Sequence, residues 1–387
     1  MNPFIFKESI PTKKRSSQTG RVKILSVIIL LVVIVLGVVE FNISNQLLTT
    51  VTVTFPTVNA TNVTAHSVTL TRIHETEQHG TFGISWDGAQ QAAIVGDISS
   101  EDQNTVTRQL VQTTAPLVNN TVVVFSRDVF LNTALINMLR LKFQRVNIPS
   151  PLGQFPALSV SGSSDTWALL VHGQNEKLDS GLRFFQPLAK LGLSVLEASY
   201  RNDENSPASS DNLSHLGDSE WQDLEAAAKY AMDHGAHHLV LYGWSMGGTI
   251  VEEFMHRSAY ASSVQALVLD APVLDWRSTL NFQAEQMNLP NITSLSVEIV
   301  ATLRTGLSFD NLDQLDQVQS NTPVLLFHGT GDTSTPIAVS KEFAQKNANI
   351  VTFHSVDNAE HVEAWNHNPQ FYELEVSRFL ISKLHLS

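Results

Sequence analysis

The pattern of apolar and polar positions divides the chain into three parts. Residues 24–39, ILSVIILLVVIVLGVV, form an uncharged apolar run that shows no polar face. Between about residues 42 and 140, segments such as SVTLTRIH and NTVVVF alternate apolar and polar positions, which predicts a β-rich extension. From about residue 141, continuous apolar runs alternate with helical stretches, which predicts strands and helices in turn.

The apolar runs of the third part predict a parallel sheet. They are TWALLVHG, LSVLEASY, HLVLYGWS, QALVLDAP and PVLLFHG, and SEWQDLEAAAKYAMDHG between the second and the third predicts a helix that ends at Gly235. Strands that are apolar on both faces are typical of a sheet covered by helices on both sides. Residues 141–387 therefore predict a doubly wound, mostly parallel α/β domain, with ligands at the carboxyl ends of its strands.

One connection in this domain is long. Roughly 50 residues separate the strand that ends near Asp270 from the next strand, far more than such a connection needs. The stretches LNFQAEQMNLP and SLSVEIVATLRTGL predict a helical lid over about residues 272–319, beside the catalytic face. Four apolar side chains could either line a substrate pocket or form the core of the lid itself, namely Phe282, Met287, Leu289 and Leu303.

The N-terminal part predicts a membrane anchor. Basic residues precede the apolar run, and with its flanks the run reaches the roughly 17–25 residues that a spanning helix needs. We expect a cytoplasmic tail over residues 1–23 and a single transmembrane signal anchor over residues 24–41. The long basic lead-in and the lack of an Ala-x-Ala-like site favour this over a cleaved signal peptide. The charge distribution predicts that everything from about residue 42 onward lies outside the plasma membrane.

Composition excludes several classes of function. The chain has 24 Lys+Arg against 37 Asp+Glu, a formal net charge of −13, which argues against a nucleic-acid partner. It contains no cysteine, which excludes disulfide bonds, thiolate metal sites and a cysteine nucleophile. An exported chain without cysteine suggests a bacterial envelope. The pattern of histidines and carboxylates predicts neither a metal site nor a cofactor.

A candidate nucleophile follows the strand HLVLYGWS. The sequence GWSMGG over residues 243–248 places Ser245 between glycines, and TIVEEFMHRS after it predicts a helix. A bare GxSxG motif is weak evidence, because about 0.1 matches are expected by chance in a chain of this length. A strand before it and a helix after it are the context that a strained nucleophile turn requires. We therefore predict Ser245 as a nucleophile.

An activated serine needs donors for the oxyanion. His172, Gly173 and Gln174 directly follow the strand TWALLV, in the position of a loop that supplies one of these donors. We assign the oxyanion hole to the backbone amides of Gln174 and Met246. The side chain of His172 is predicted to support this loop.

The acid and the base are expected after later strands. Asp332 follows PVLLFHG in a loop that contains glycine, and Asp270 at the end of the preceding strand is its competitor. His361 follows an alternating segment over residues 350–356 and completes the chain order Ser, Asp, His, with His367 as an alternative. A carboxylate at such a loop can orient the imidazole, which in turn activates the serine.

Together these segments resemble a known superfamily. The matching pieces are HGQ at residues 172–174, YRND at 200–203, GWSMGG at 243–248, LDAPVLDW at 269–276, HGTGDTSTP at 328–336 and AEHVEAW at 359–365. From about residue 143 to its end, the chain resembles the α/β-hydrolases, and within them bacterial membrane-anchored serine hydrolases of the serine aminopeptidase and prolyl oligopeptidase-like branch. The resemblance implies Ser245 as nucleophile, Asp332 as acid and His361 as base. The β-rich extension lies outside the shared pattern.

The predicted function is an extracytoplasmic serine hydrolase. We expect it to cleave a carboxylic ester or a related acyl bond through an acyl-enzyme, on a small-molecule or peptide substrate. A peptidase or aminopeptidase of the same fold is one alternative. A non-catalytic α/β-hydrolase-like binding protein of the envelope is another, but a binding protein has no need for all three triad candidates. The motifs encode neither the physiological substrate nor the oligomeric state.

Overall fold

The computed structural model describes residues 41–51, 53–290, 292–315 and 321–384. The predicted cytoplasmic tail and all of the predicted anchor except Phe41 lie outside these residues. Within the described ranges, no helix combines the length and the apolar character needed to cross a membrane.

The β-rich region is a closed antiparallel barrel. Its strands are β1 (Thr57–Thr61), β2 (Ser67–Thr71), β3 (Phe82–Trp86), β4 (Gln91–Glu101), β5 (Thr105–Thr113) and β6 (Thr121–Ser126). They pair in the order β1-β2-β5-β4-β3-β6, and β6 pairs with β1 to close the barrel. Because side chains alternate between the two faces of a strand, every second residue enters an apolar interior. The predicted β-rich extension is confirmed.

A buried arginine stabilises one loop of the barrel. Arg108 is fully buried and lies 5.0 Å from the ring centre of Phe82. It donates hydrogen bonds of 2.6–3.0 Å to the carbonyl oxygens of Thr76, Gln78, Gly80 and Gly96. Burial lowers the pKa of Arg108 to about 10, so the guanidinium stays charged at neutral pH. These bonds order the loop at residues 76–80, which faces the rest of the chain.

The remaining strands form one mostly parallel sheet. They are β7 (Gln144–Ser150), β8 (Gly153–Val160), β9 (Thr166–Val171), β10 (Ser194–Ala198), β11 (His238–Trp244), β12 (Val264–Asp270), β13 (Val324–Gly329) and β14 (Val351–Val356). Their order is β14-β13-β12-β11-β9-β10-β8-β7, and among these strands β8 pairs antiparallel with both of its neighbours, β10 and β7. The predicted parallel sheet is confirmed.

Helices cover both faces of this sheet. They are α1 (Thr133–Met138), α2 (Leu182–Lys190), α3 (Trp221–Asp233), α4 (Met246–Arg257), α5 (Trp276–Gln286), α6 (Ile292–Thr305), α7 (Ile337–Lys346), α8 (Ala364–His367) and α9 (Pro369–Leu384). The helices α3, α4 and α7 share one apolar core with one face of the sheet. The helices α2, α8 and α9 share a second core with the other face.

The segment that follows the predicted anchor is helical rather than extended. Residues 41–48 form a helical stretch, although the sequence pattern places them in the β-rich region. Leu48 is fully buried in the core of the α/β domain, and its carbonyl oxygen accepts a 2.7 Å hydrogen bond from the Ser214 amide. Ile43 and Leu47 pack against the same core, so one apolar helical face is buried there.

Two helices fill the long connection between β12 and β13. The buried residues of α5 and α6 include Leu280, Ala284, Val297 and Ala301. Met287 and Leu303 are 66% and 81% exposed, so the alternative that places them in a lid core is wrong. Their exposure leaves an apolar surface on the outside of the insertion.

Asn366 joins the barrel to the α/β domain. Its fully buried side-chain amide donates 2.8 Å and 2.7 Å hydrogen bonds to the carbonyl oxygens of Thr81 and Arg127. The Thr81 amide donates a 2.8 Å bond back to the Asn366 carbonyl. The adjacent Gly80 has a φ of 110°, and a Cβ there would lie 2.1 Å from the Asn366 carbonyl oxygen. The two parts are therefore in direct backbone contact.

We expect Asn366→Ala to lower the free energy of unfolding by about 2 kcal/mol, because two buried carbonyl oxygens lose their donor. Urea unfolding measures the effect. The control is Gln109→Ala on the exposed side of β5, which should change the free energy of unfolding by less than about 0.5 kcal/mol. Equal free energies of unfolding for the two variants would show that the contact between the barrel and the α/β domain does not depend on this amide.

Candidate active site

Ser245 lies at a strained turn between β11 and α4. Its backbone has φ 54° and ψ −127°, a conformation that non-glycine residues rarely adopt. The turn is tight because the chain packs directly on the neighbouring strand. A Cβ at Gly247 would lie 2.1 Å from the carbonyl oxygen of Val171. The glycine after the serine is therefore a requirement of this close approach, and the turn holds the Ser245 side chain at the strand end.

The structure brings three predicted site residues into contact. His361 Nε2 lies 2.9 Å from Ser245 Oγ, and His361 Nδ1 lies 2.8 Å from Asp332 Oδ2. The three residues come from the loops after β11, β13 and β14, because parallel strands deliver their carboxyl ends to one edge of the sheet. The arrangement can move a proton from the serine hydroxyl to the imidazole.

Asp332 is held as a carboxylate although it is buried. Its oxygens accept hydrogen bonds from the Ser334 amide at 2.7 Å and from the amide and hydroxyl of Thr335, both at 2.8 Å. Burial by itself would raise the pKa of Asp332, but His361 and His328 outweigh it and hold the pKa well below its ordinary value. The carboxylate is ionised at neutral pH and can orient the imidazole.

The alternative residues occupy other positions. Asp270 is fully buried at the last position of β12, and burial raises its pKa to about 6. Both ring nitrogens of His361 already face Asp332 and Ser245, so Asp270 is not the carboxylate that contacts the imidazole. His367 lies at the end of α8, where burial and His79 lower its pKa.

The two predicted oxyanion donors flank the serine. Met246 is the first residue of α4, so its amide lies at the open N-terminus of that helix. Outside the regular helices and strands of the described residues, no backbone carbonyl accepts the amide hydrogen of Gln174 or Met246. A Cβ at Gly173 would lie 2.9 Å from the Ser245 Cβ, so the loop passes directly beside the serine. The two amides thus belong to the two segments that lie directly beside the Ser245 side chain.

Comparison with protein-family models decides the family. The model described as the prolyl oligopeptidase family matches residues 183–384, more than half of the chain. The chain belongs to the prolyl oligopeptidase family. It is a hydrolase of the α/β fold, as the motifs predict. A second model, described as a domain of unknown function, matches residues 57–126, the region of the barrel.

Solved structures share the fold of this family member. An esterase of Pyrococcus furiosus is 19% identical with a TM-score of 0.51, over 64% of this chain and 95% of that one. A proline iminopeptidase-related protein of Thermus thermophilus is 15% identical with a TM-score of 0.51, over 64% of this chain and 100% of that one. At these identities the likeness shows the fold alone. A search of curated proteins finds no match to the chain.

In this hydrolase a buried ion pair supports the loop at Gln174. His172 Nε2 lies 3.1 Å from Asp203 Oδ2, and the His172 ring stacks on Tyr200 at 4.5 Å between centres. The Tyr200 hydroxyl donates a 2.8 Å hydrogen bond to the carbonyl oxygen of Gly173. Burial would lower the pKa of His172, but Asp203 outweighs it and raises the pKa to about 9. The structure thus agrees with a supporting role for this side chain.

An arginine of the barrel contacts two loops of the site. Arg127, directly after β6, forms an ion pair with Glu176, two residues beyond Gln174. It also donates a 3.4 Å hydrogen bond to the carbonyl oxygen of His361. Burial would raise the pKa of Glu176, but Arg127 and the indole N–H of Trp244 lower it to about 2. Sequence reasoning missed both charged residues, since no motif links position 127 to position 176.

The loop that carries His361 is strained and held from both sides. Val362 is fully buried with φ 60°, an outlier for a β-branched residue. Arg183 donates a 3.3 Å hydrogen bond to its carbonyl oxygen. From the barrel, Gln78 donates a 2.8 Å bond to the carboxylate of Glu360. The surroundings therefore impose the backbone conformation that presents the imidazole.

A cavity lies between the barrel and the α/β domain. Its volume is about 460 Å³, and its lining includes Phe55, Trp86, Arg127, Glu176 and Ser180. Arg127 and Glu176 thus border both this cavity and the loops of the site.

Across the described ranges, no group of three or more His, Asp or Glu side chains could hold a metal ion.

The His172–Asp203 pair predicts a loss of stability at alkaline pH. The pKa of His172 is raised from 6.5 to about 9 on folding, so its contribution is complete below pH 6.5 and is lost as the pH rises through 9. The loss amounts to about 3 kcal/mol. Urea unfolding at pH 6 and pH 10 should show a larger decrease for the parent than for His172→Gln. If the free energy of unfolding decreased equally for the parent and for His172→Gln, the result would contradict the ion pair.

Arg127→Met is expected to lower kcat about 10- to 100-fold with little change in KM, because displaced catalytic loops misalign the reacting groups. The variant also leaves Glu176 buried without its partner, so Arg127→Met/Glu176→Gln should recover part of kcat. Steady-state kinetics on a soluble ester gives both parameters.

Arg378→Met removes a guanidinium from the exposed side of α9 and serves as the control. A rise in KM alone for Arg127→Met, or equal losses in the two variants, would contradict the positioning role.

Proposed function

We propose that this protein is a serine hydrolase that cleaves a carboxylic ester through an acyl-enzyme. The contact chain from Ser245 Oγ to His361 Nε2 at 2.9 Å, and from His361 Nδ1 to Asp332 Oδ2 at 2.8 Å, carries the proposal. Such a chain of nucleophile, base and orienting carboxylate is the arrangement that acyl transfer requires. The similarity to an esterase of Pyrococcus furiosus supports an ester as the first choice.

In the proposed mechanism, Ser245 attacks the ester carbonyl while His361 takes its proton. Asp332 holds the imidazole in the productive orientation and stabilises the imidazolium. The amides of Gln174 and Met246 donate to the oxyanion, and His361 then protonates the leaving alcohol. A water molecule, deprotonated by His361, cleaves the acyl-enzyme and regenerates the serine.

A peptide is the second candidate substrate. The match to the prolyl oligopeptidase family and the similarity to a proline iminopeptidase-related protein of Thermus thermophilus favour it. The same nucleophile, base and oxyanion donors would serve amide cleavage, with His361 protonating the leaving amine. The two candidates therefore differ in the pocket and not in the catalytic groups.

We also propose that the protein is anchored in the plasma membrane with its catalytic domain outside. The uncharged run of residues 24–39 and the basic residues before it support this location.

The catalytic assignment predicts distinct effects at two carboxylates. Ser245→Ala should abolish hydrolysis of p-nitrophenyl esters, and Asp332→Asn should lower kcat by roughly 10⁴, because the imidazole loses its orienting charge. Asp270→Asn is the matched control, since this aspartate is also buried near the site but does not contact His361. It should keep kcat within about tenfold of the parent. Steady-state rates on esters of short and long acyl chains measure all three.

Equal rates for Ser245→Ala and the parent would show that another nucleophile acts. A parent that is inactive on esters but cleaves aminoacyl p-nitroanilides, with the same response to Ser245→Ala, would move the peptide to first place. Inactivity on both substrate classes would favour the non-catalytic binding protein.

A further inference from the structure

An apolar stripe lies on the outer face of α6. Ile292, Leu295, Ile299 and Leu303 follow one another at helical spacing, and their exposures range from 49% to 81%. The opposite face of α6 buries Ser294, Val297 and Ala301. A surface helix of a globular protein normally turns polar residues to water, so α6 lacks the expected polar outer face.

Two further exposed apolar side chains precede α6, and the acidic residue of this helix is paired. Met287 and Leu289 add exposed apolar surface before the helix begins. Glu298, the acidic residue of α6, forms a 2.6 Å ion pair with Arg277. Single exposed apolar residues are common, but a contiguous set of this kind marks an interaction surface.

The segment that follows the proposed anchor is fixed to the end of α6. The Arg304 guanidinium lies 4.5 Å from the centre of the Phe41 ring. It also donates hydrogen bonds to Ser44 Oγ at 3.2 Å and to Asn45 Oδ1 at 3.1 Å. Ser44 and Leu48 are fully buried. The chain therefore has no free spacer between residue 41, where the anchor would end, and the α/β domain.

This attachment places α6 beside the bilayer. A spanning helix that ends at Phe41 holds Arg304 and the adjacent Leu303 at the membrane surface. Burial of apolar side chains in the headgroup region is favourable. The tether makes this contact intramolecular.

We propose that α6 docks on the outer surface of the membrane, with its apolar stripe at the boundary between headgroups and acyl chains. The inference rests on the anchor proposed above. Gln283 of α5 donates a 3.1 Å hydrogen bond to the Ser334 carbonyl oxygen, beside Asp332, so the docked insertion adjoins the catalytic edge of the sheet. The active site is thereby held close to the lipid surface.

The absence of cysteine allows a direct test with single cysteine variants. Leu295→Cys, Leu303→Cys and Val118→Cys are labelled with bimane in the full chain, reconstituted in phosphatidylcholine and phosphatidylglycerol vesicles. Val118 lies beside the barrel strand β6, is 64% exposed and serves as the matched control. We expect a nitroxide lipid to quench the labels at 295 and 303 at least threefold more than the label at 118. Aqueous iodide should show the opposite order.

Vesicle flotation separates the two proposals. If the chain floats but iodide quenches all three labels equally, the docking is overturned and the anchor stands. Protection of the labels at 295 and 303 from both quenchers would also overturn it, because a second copy or another segment of this chain would then cover the stripe. Failure to float would overturn the anchor, and the docking with it.

Discussion

The buried carboxylate of Asp332 is the constraint on which the proposed site depends. A charge removed from water must be surrounded by donors, and here two loops supply them. The turn after β13 contributes the backbone amides of Ser334 and Thr335, and the loop after β14 contributes the imidazole of His361. The same contacts that keep the charge buried also fix the ring plane toward Ser245. The contacts that stabilise the buried carboxylate are thus the same contacts that orient the imidazole of His361.

The barrel is part of the support for that geometry. Asn366 joins the backbone of the barrel to the segment just after His361, and Arg127 connects the His361 loop with Glu176, two residues beyond Gln174. The strained Val362 lies between these contacts. The barrel therefore contacts the loops that carry the proposed site at the edge of a different sheet. The cavity between the two parts is lined by Arg127 and Glu176, the same ion pair that contacts these loops.

The N-terminal segment relates the catalytic domain to the proposed anchor. Because Leu48 is buried in the α/β core and Arg304 contacts Phe41, residues 41–48 behave as part of the domain and not as a linker. With the proposed anchor, a domain held in this way would have a fixed orientation above the bilayer. The proposed docking gives the apolar stripe on α6 a partner, whereas on a freely diffusing domain the stripe would favour aggregation.

The sequence by itself determined the fold class and the contact partners of the proposed site. Continuous apolar runs are enough to indicate a parallel sheet, and chain order with local turns is enough to select Ser245 and His361 and to favour Asp332, because these signals are local. The tertiary structure alone decided which of Asp270 and Asp332 meets the imidazole, since that choice depends on how neighbouring strands end. It alone revealed Arg127, whose partners lie about 50 and more than 200 positions away, a distance over which no periodicity or motif carries information. The same reason explains the helical stretch at residues 41–48, whose conformation is set by burial against a distant core and not by its own Thr- and Val-rich surroundings.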